Sequence, residues 1–353
     1  MSKTFVPKVG EYAVWDLQWE KQENYWFVKI DGVLGNCHYS MKEYKPKKGI
    51  VIKGKIDKRL NYCHRNPNIV KDSLGMCITW SDDVESGPGY KEVHSKHVVN
   101  ADGFTKKDFE KLLPNFPGSK IIALHQTDEP EAYVFYAPGG ALTFKNHKNF
   151  FKQILNVPLN KVDSWVWMFQ KWLNKKARLN TNIADEDQDR DLDNKKCSVI
   201  SFSDMPEVLK MRSYLNRLGL DKLKNLNAEV NYYHVQKSGI GYHGDGERKK
   251  VFAFNYAKDN QVRHIEFQCF EGGNEVGKSV KIDLHHGDIY AMCMVASGNN
   301  WKDVMNKKGV RHWRHRAGFK EYLDSDDKTR IAKAKRKIKK WNNQRKKKCI
   351  VNC

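Results

Sequence analysis

Over the first hundred residues, apolar and polar positions alternate in short runs. Tyr12-Ala-Val-Trp15, Tyr25-Trp-Phe-Val-Lys-Ile30, Ile50-Val-Ile-Lys-Gly54 and Met76-Cys-Ile-Thr-Trp80 are rich in aromatic and β-branched residues and separated by Gly and Asp-Gly turns. That is the pattern of short strands, and it predicts a small β-rich domain over residues 1–115. Thr105 to Leu113 reads as a short helix stopped by Pro114, and Pro117-Gly118 marks a boundary. From Lys161 to Leu173 the period lengthens: Val162, Trp165, Val166, Phe169, Trp172 and Leu173 recur at three- and four-residue spacing, which predicts a helix with an apolar face. Residues 181–196 carry Asp185, Glu186, Asp187, Asp189, Asp191 and Asp193 with almost no apolar side chain, the composition of an acidic mobile loop. Cys197 to Phe202 then reads as a strand, and Pro206 to Leu218 as a helix with Asp204 as cap and Gly219 as stop. Glu229–Val235, Lys250–Tyr256, His264–Phe270, Ser279–Leu284, Asp288–Met294 and Val310–Arg316 follow as closely spaced strand-like segments joined by Gly and Asn turns. Such spacing predicts a sandwich or jelly roll.

Charge changes this picture at one end. The chain has 353 residues, Lys+Arg 63 and Asp+Glu 42, a net charge of +21. Twelve of those charges lie between Lys328 and Lys348, a tract with no acid. A tract of this kind binds phosphates through counterion release without reading sequence, so Lys335, Arg336, Lys337, Lys339 and Lys340 are candidate contacts to DNA or RNA, with Trp341 available to stack on a base. No apolar run is long enough for a transmembrane helix, and the first residues lack the apolar core of a signal peptide. The eight cysteines show no paired framework, which fits reduced thiols in an intracellular compartment. Cys37-His38, Cys63-His64, Cys77, His94 and His97 lack the ligand spacing of a zinc site.

The chemistry concentrates between Asn231 and Glu247. Residues two apart on a strand point to one side, so His243 and Asp245 can present an imidazole and a carboxylate to one point. Two histidines and one carboxylate on one face of an octahedron leave positions open, as in non-haem Fe(II) oxygenases. The second histidine is to be sought in Val310-Arg-His-Trp-Arg-His-Arg-Ala-Gly318, where His315 and His312 compete.

Asn231-x-Tyr233, Gly239-Ile-Gly-x-His243-x-Asp245-x-Glu247, Gly287-Asp288 and a late histidine together resemble the AlkB-like Fe(II)/2-oxoglutarate dioxygenases. More narrowly, Asn227-Ala-Glu-x-Asn-Tyr-Tyr, Gly-Asp-Ile-Tyr-x-Met, Trp301-Lys302 and Arg314-His315-x-Ala317-Gly318 resemble a branch common in large DNA viruses and microbial eukaryotes. The resemblance covers residues 197–322, about a third of the chain. It implies a double-stranded β-helix (jelly-roll) catalytic domain with flanking helices over 118–325; with the small β-rich domain read from the strand pattern before it and the basic tail read from the charge over 326–353, the expected class is α+β. It further implies Fe(II) held by His243, Asp245 and His315, and 2-oxoglutarate as co-substrate beside Asn231 and Tyr233. The family also places an arginine well downstream of the distal histidine, which salt-bridges the far carboxylate of the co-substrate. No clean R-x₅-R follows His315; Arg314, Arg316, Lys320 and Arg330 are the cations available, Arg314 and Lys320 first among them. The implied reaction takes O₂ and 2-oxoglutarate and hydroxylates or oxidatively demethylates a substrate, with the basic tail favouring nucleic acid. A nucleic-acid-binding protein without turnover and a protein hydroxylase are the alternatives.

Overall fold

In the computed structural model, residues 70–84, 102–158, 161–163, 178–189, 196–246, 248–332 and 335–336 are described in full, and strand backbone alone at 11–13, 18–22, 25–30, 33–39, 51–53, 85, 92–94, 165–168 and 171–174. The protein is mixed α+β, mostly strands, with two principal sheets and a few helices. The strands of those sheets are β1 (Gly75–Ser81), β2 (Lys120–Ala123), β3 (Tyr133–Ala137), β4 (Arg178–Ala184), β5 (Val199–Ser201), β6 (Asn227–Tyr233), β7 (Gly239–His243), β8 (Val251–Ala257), β9 (Arg263–Glu271), β10 (Asn274–Leu284), β11 (Ile289–Met292) and β12 (Arg311–Phe319). The large sheet has eight strands in the order β5-β4-β6-β1-β8-β11-β3-β2, and the small sheet four, β7-β12-β9-β10. Three helices matter to the packing: α1 (Lys106–Leu112), α2 (His147–Ile154) and α3 (Pro206–Leu215).

Alternation along the strands gives each sheet two faces. On the outer face of the large sheet, Trp80 stacks on Phe150 of α2 and on Phe202, with Phe254 of β8 against its edge, and the Tyr232 hydroxyl donates to the Ile154 carbonyl at 3.1 Å. The helices thus cover the apolar face and complete the main core. The other face turns toward the small sheet. Tyr233 of β6 meets Phe319 of β12, ring centroids 6.3 Å apart, and the Arg263 Nε of β9 donates to the Asn255 Oδ1 of β8 at 2.8 Å.

Several expectations are corrected. The break between residues 115 and 118 is absent: β1, expected in a separate N-terminal domain, lies between β6 and β8 in the large sheet. Phe104, Phe109, Leu112 and Phe116 enter the same core. A strand's local pattern does not say which strands it will pair with, and here its partners lie more than 140 residues away. The helix expected over Lys161–Leu173 is an antiparallel ribbon, Trp165–Met168 on Lys171–Asn174; bulky aromatic and β-branched residues suit strands, and short apolar runs fit either period. The acidic segment begins as strand, since 181–184 belong to β4. Beyond it Lys161 Nζ holds Asp187 at 2.7 Å and Asp189 at 3.0 Å, and Arg212 pairs with Asp185. Asp191 and Asp193 lie outside the described residues.

Helix α3 stops at Leu215 and is not capped by Asp204. Gln153 of α2 accepts from the Glu207 and Val208 N–H groups at 2.8 and 3.3 Å instead. Helix α1 matches its signals: Thr105 and Asp108 form a reciprocal capping box. After β12 the chain continues as helix over 320–332. Residues 326–332, expected as tail, are tied back by Asp326 and Asp327 to Arg316, and by Arg330 to Glu275. No helix among the described residues is long and apolar enough to cross a membrane.

Candidate metal centre

His243 closes β7 and sits opposite His315 in the ladder between β7 and β12. Asp245 follows just beyond the strand end. Its loop lies against the Ser297–Trp301 turn, an approach that Gly244 permits: a Cβ there would fall 2.2 Å from the Gly298 carbonyl and 2.4 Å from the Trp301 ring. The Asp245 N–H donates to the Ser297 carbonyl at 2.9 Å, and the Asn299 amide donates to the Asp245 and Arg248 carbonyls at 3.1 and 2.7 Å. The loop is therefore fixed by one backbone bond and by the Asn299 side chain.

His243 Nε2 lies 3.6 Å from Asp245 Oδ1, and His315 Nε2 lies 3.8 Å from Asp245 Oδ2. One ligand atom from each of the three comes within 4.8 Å of the others. The tautomers suit a cation. His243 Nδ1 donates to the Gly241 carbonyl at 2.8 Å, which leaves the Nε2 lone pair toward Asp245. Burial, then the neighbouring His243 imidazole and Arg248, hold His315 well below its ordinary pKa, so it is a neutral donor. Two imidazoles and a carboxylate at this spacing fit a divalent cation such as Fe(II).

The rivalry between His312 and His315 resolves by strand alternation. His315 shares the inner face of β12 with Trp313 and Ala317, whereas His312, Arg314 and Arg316 occupy the outer one. There Arg314 donates Nε to His312 Nε2 at 3.0 Å and lies over the Phe270 and Trp301 rings. Arg314 and Lys320, expected at the co-substrate, are accordingly misplaced for it. Lys320 is exposed and pairs with Asp324 at 2.7 Å. Arg316 and Arg330 are engaged by carboxylates of their own. Asp288 has a structural part, accepting from the N–H groups of Gly139 and His285 and from the Tyr136 hydroxyl at 2.7–2.8 Å.

Asn231 and Tyr233 do lie on the inner wall. Asn231 Nδ2 donates to Glu229 Oε1 at 3.1 Å, and Arg248 Nη2 donates to Glu229 Oε2 at 2.6 Å; the Asn231 carbonyl oxygen is buried and accepts nothing. Cys77, Thr79, Asn180, Asn182, Asn255 and Tyr290 continue this wall in register. Sequence reasoning missed Arg263, 1% exposed on the inner face of β9. Its signal was available: it falls in the alternate positions otherwise filled by Ile265, Phe267 and Cys269. In the basic tract, Lys335 and Arg336 are helical and exposed, while Lys337, Lys339 and Lys340 lie outside the described residues.

No protein-family model matches the chain. Over 263 residues, 70% of this chain, it is 30% identical to "Uncharacterized protein R156" of Acanthamoeba polyphaga mimivirus, spanning 97% of that protein. This chain belongs to the family of that viral protein. The family name carries no activity, so function must be argued from the site.

Proposed function

We propose that this protein is an AlkB-like Fe(II)/2-oxoglutarate-dependent dioxygenase, built on a double-stranded β-helix and acting on nucleic acid. The convergence of His243, Asp245 and His315 carries the reading. A large sheet that turns a polar face, with Asn231 and Tyr233 on it, toward the sheet carrying His315 supports it, as does the ordered set of motifs. The net charge of +21 and the basic tract favour a polyanionic substrate.

His243, Asp245 and His315 would hold a ferrous ion, which would supply dioxygen activation coupled to oxidative decarboxylation of 2-oxoglutarate, giving succinate, CO₂ and one oxygen atom for a substrate C–H bond. The chain contributes orientation and exclusion of water. The Gly241 carbonyl sets the His243 tautomer; the bonds from Ser297 and Asn299 hold the Asp245 loop. The Arg248–Glu229 pair braces Asn231 on the inner wall, and its low exposure keeps water from that side. A target base must leave its stack to reach such an interior site.

The test is succinate formation from 2-oxoglutarate with Fe(II) and O₂, for the wild type and for His243→Ala and Asp245→Ala, alongside anaerobic binding of Fe(II) and 2-oxoglutarate. Turnover that both variants lose supports the reading. Neither turnover nor binding in the wild type overturns it. For the substrate, a steep fall of oligonucleotide affinity with salt supports nucleic acid, and a flat one removes it.

A further inference from the structure

Buried arginines in this fold meet carboxylates: Arg212 meets Asp185, Arg248 meets Glu229, and Arg316 meets Glu266, Asp326 and Asp327. Arg263 meets none among the described residues. One edge of its guanidinium is held, with Nε donating to Asn255 Oδ1 at 2.8 Å. Asn255 cannot turn away, because its own amide donates to the Leu284 and His285 carbonyls at 3.1 and 2.7 Å. Its backbone is clasped by the Gly287-Asp288 turn through bonds of 2.8 Å in both directions. The other edge, Nη1 and Nη2, is buried and makes no hydrogen bond. The Tyr233 ring lies 5.0 Å from the guanidinium carbon. The Cys77 thiol and the Tyr290 hydroxyl, 3.2 Å from each other, sit close enough to act on its charge.

An unpaired cation out of water is costly, and loss of its anion is among the larger penalties a fold can carry. Two parallel N–H donors on a planar fork match a carboxylate in bidentate fashion. Position supplies the rest. Arg263 touches the level of Cys77 and Asn255 on the facing sheet, the level of Asn231 in register. In the small sheet Arg263 pairs with Phe319, four residues along β12 from His315. Four residues of strand span about 13 Å, a gap that the arginine side chain and an extended five-carbon dicarboxylate bridge together.

We propose that Arg263, aimed by Asn255, receives the far carboxylate of a 2-oxo dicarboxylic acid whose oxo-acid end reaches His243, Asp245 and His315. Selection of a dicarboxylate over a 2-oxo monocarboxylate then resides on β9, ahead of the distal histidine, and not in the cations that follow His315. The oxo-acid half of this statement rests on the dioxygenase reading; the carboxylate half does not.

Binding without turnover tests it. Protein loaded with Ni(II) under argon is titrated calorimetrically with 2-oxoglutarate and with pyruvate, which lacks the second carboxylate. Wild type is expected to prefer 2-oxoglutarate by about 100-fold, the worth of a desolvated bidentate pair. Arg263→Met should bring the two acids level while Ni(II) affinity stays unchanged, and Arg314→Met should leave the preference intact. Should Arg263→Met not fold, Cys77→Asp places a resident carboxylate beside the guanidinium and is expected to abolish the preference in a folded protein. A folded Arg263→Met or Cys77→Asp variant that keeps the wild-type preference overturns the proposal, as does a wild type that binds Ni(II) but not 2-oxoglutarate over pyruvate. Failure to bind Ni(II) at all overturns the dioxygenase reading instead. The anchor is then judged on metal-free protein by the rise in Tm with glutarate over butyrate: a rise lost in Arg263→Met sustains it, and none in wild type overturns it.

Discussion

The two faces of the large sheet are made by the same strands and are about equally hidden from water, yet they are filled oppositely. Outward, β1, β6 and β8 present Met76, Ile78, Trp80, Ala228, Val230, Tyr232, Phe252 and Phe254 to helices. Inward, the same strands present Cys77, Thr79, Glu229, Asn231, Tyr233 and Asn255 to the small sheet. Apolar burial on one side stabilises the fold through area removed from water. Polar burial on the other contributes little to stability and leaves Asn231 Oδ1 and Arg263 Nη1 and Nη2 unsatisfied. On the function proposed above, the polar face serves the ligand and the apolar face the fold.

The largest effect should fall on the outer face. Trp80→Ala is expected to lose about 3–5 kcal/mol, read by denaturant unfolding, with Ni(II) affinity of the folded fraction unchanged. On the inner face Arg248→Met strands the Glu229 carboxylate and should cost a similar ~3–5 kcal/mol. The double variant Arg248→Met with Glu229→Leu is expected to recover most of that loss without restoring co-substrate binding. A double variant as unstable as the single one would erase the distinction between the faces.

His315→Ala should weaken Ni(II) binding at least about 100-fold by calorimetry while leaving Tm of the metal-free protein within a few degrees. An acid titration adds a smaller test. Burial lowers the His234 pKa from 6.5 to about 4, so the unfolded chain takes up a proton that the folded one refuses. Stability is then full above pH 6.5 and falls as pH drops from 6.5 toward about 4, by up to ~1.4 kcal/mol per pH unit; His234→Gln should flatten that slope. Smallest of all, Lys320→Met is expected to change stability and 2-oxoglutarate binding by less than about 0.5 kcal/mol, since its pairing with Asp324 is exposed.

Much of the site was legible in the residues. His243-Gly-Asp245 pointed to two side chains that the fold does bring together with His315, and the strand-like segments from 229 to 316 appear as β6, β8, β9, β10, β11 and β12 with ends shifted by a few residues, apart from a longer start to β10. Asn231 and Tyr233, expected at the co-substrate, lie on the inner wall. Arg314 and Lys320 do not, because a cation near His315 in sequence is carried to the opposite face one residue along the strand or onto the following helix. Strands β2, β3 and β4 and the ribbon at 165–174 escaped notice; short runs with mixed period carry a weak local signal.

Local sequence, then, determined where strands alternate, where α1 begins at its capping box, and which residue types could bind a cation. Alternation fixes that neighbours oppose each other but not which of them faces inward, and a run such as Met76–Trp80 does not name its partners. Those choices follow from pairings across the chain: β1 seated between β6 and β8, His243 set opposite His315, Asn255 turned toward Arg263. Only tertiary structure, which weighs the burial of a whole face against every alternative pairing, decided that His315 and not His312 joins the cluster, and that buried Arg263 meets no carboxylate among the described residues.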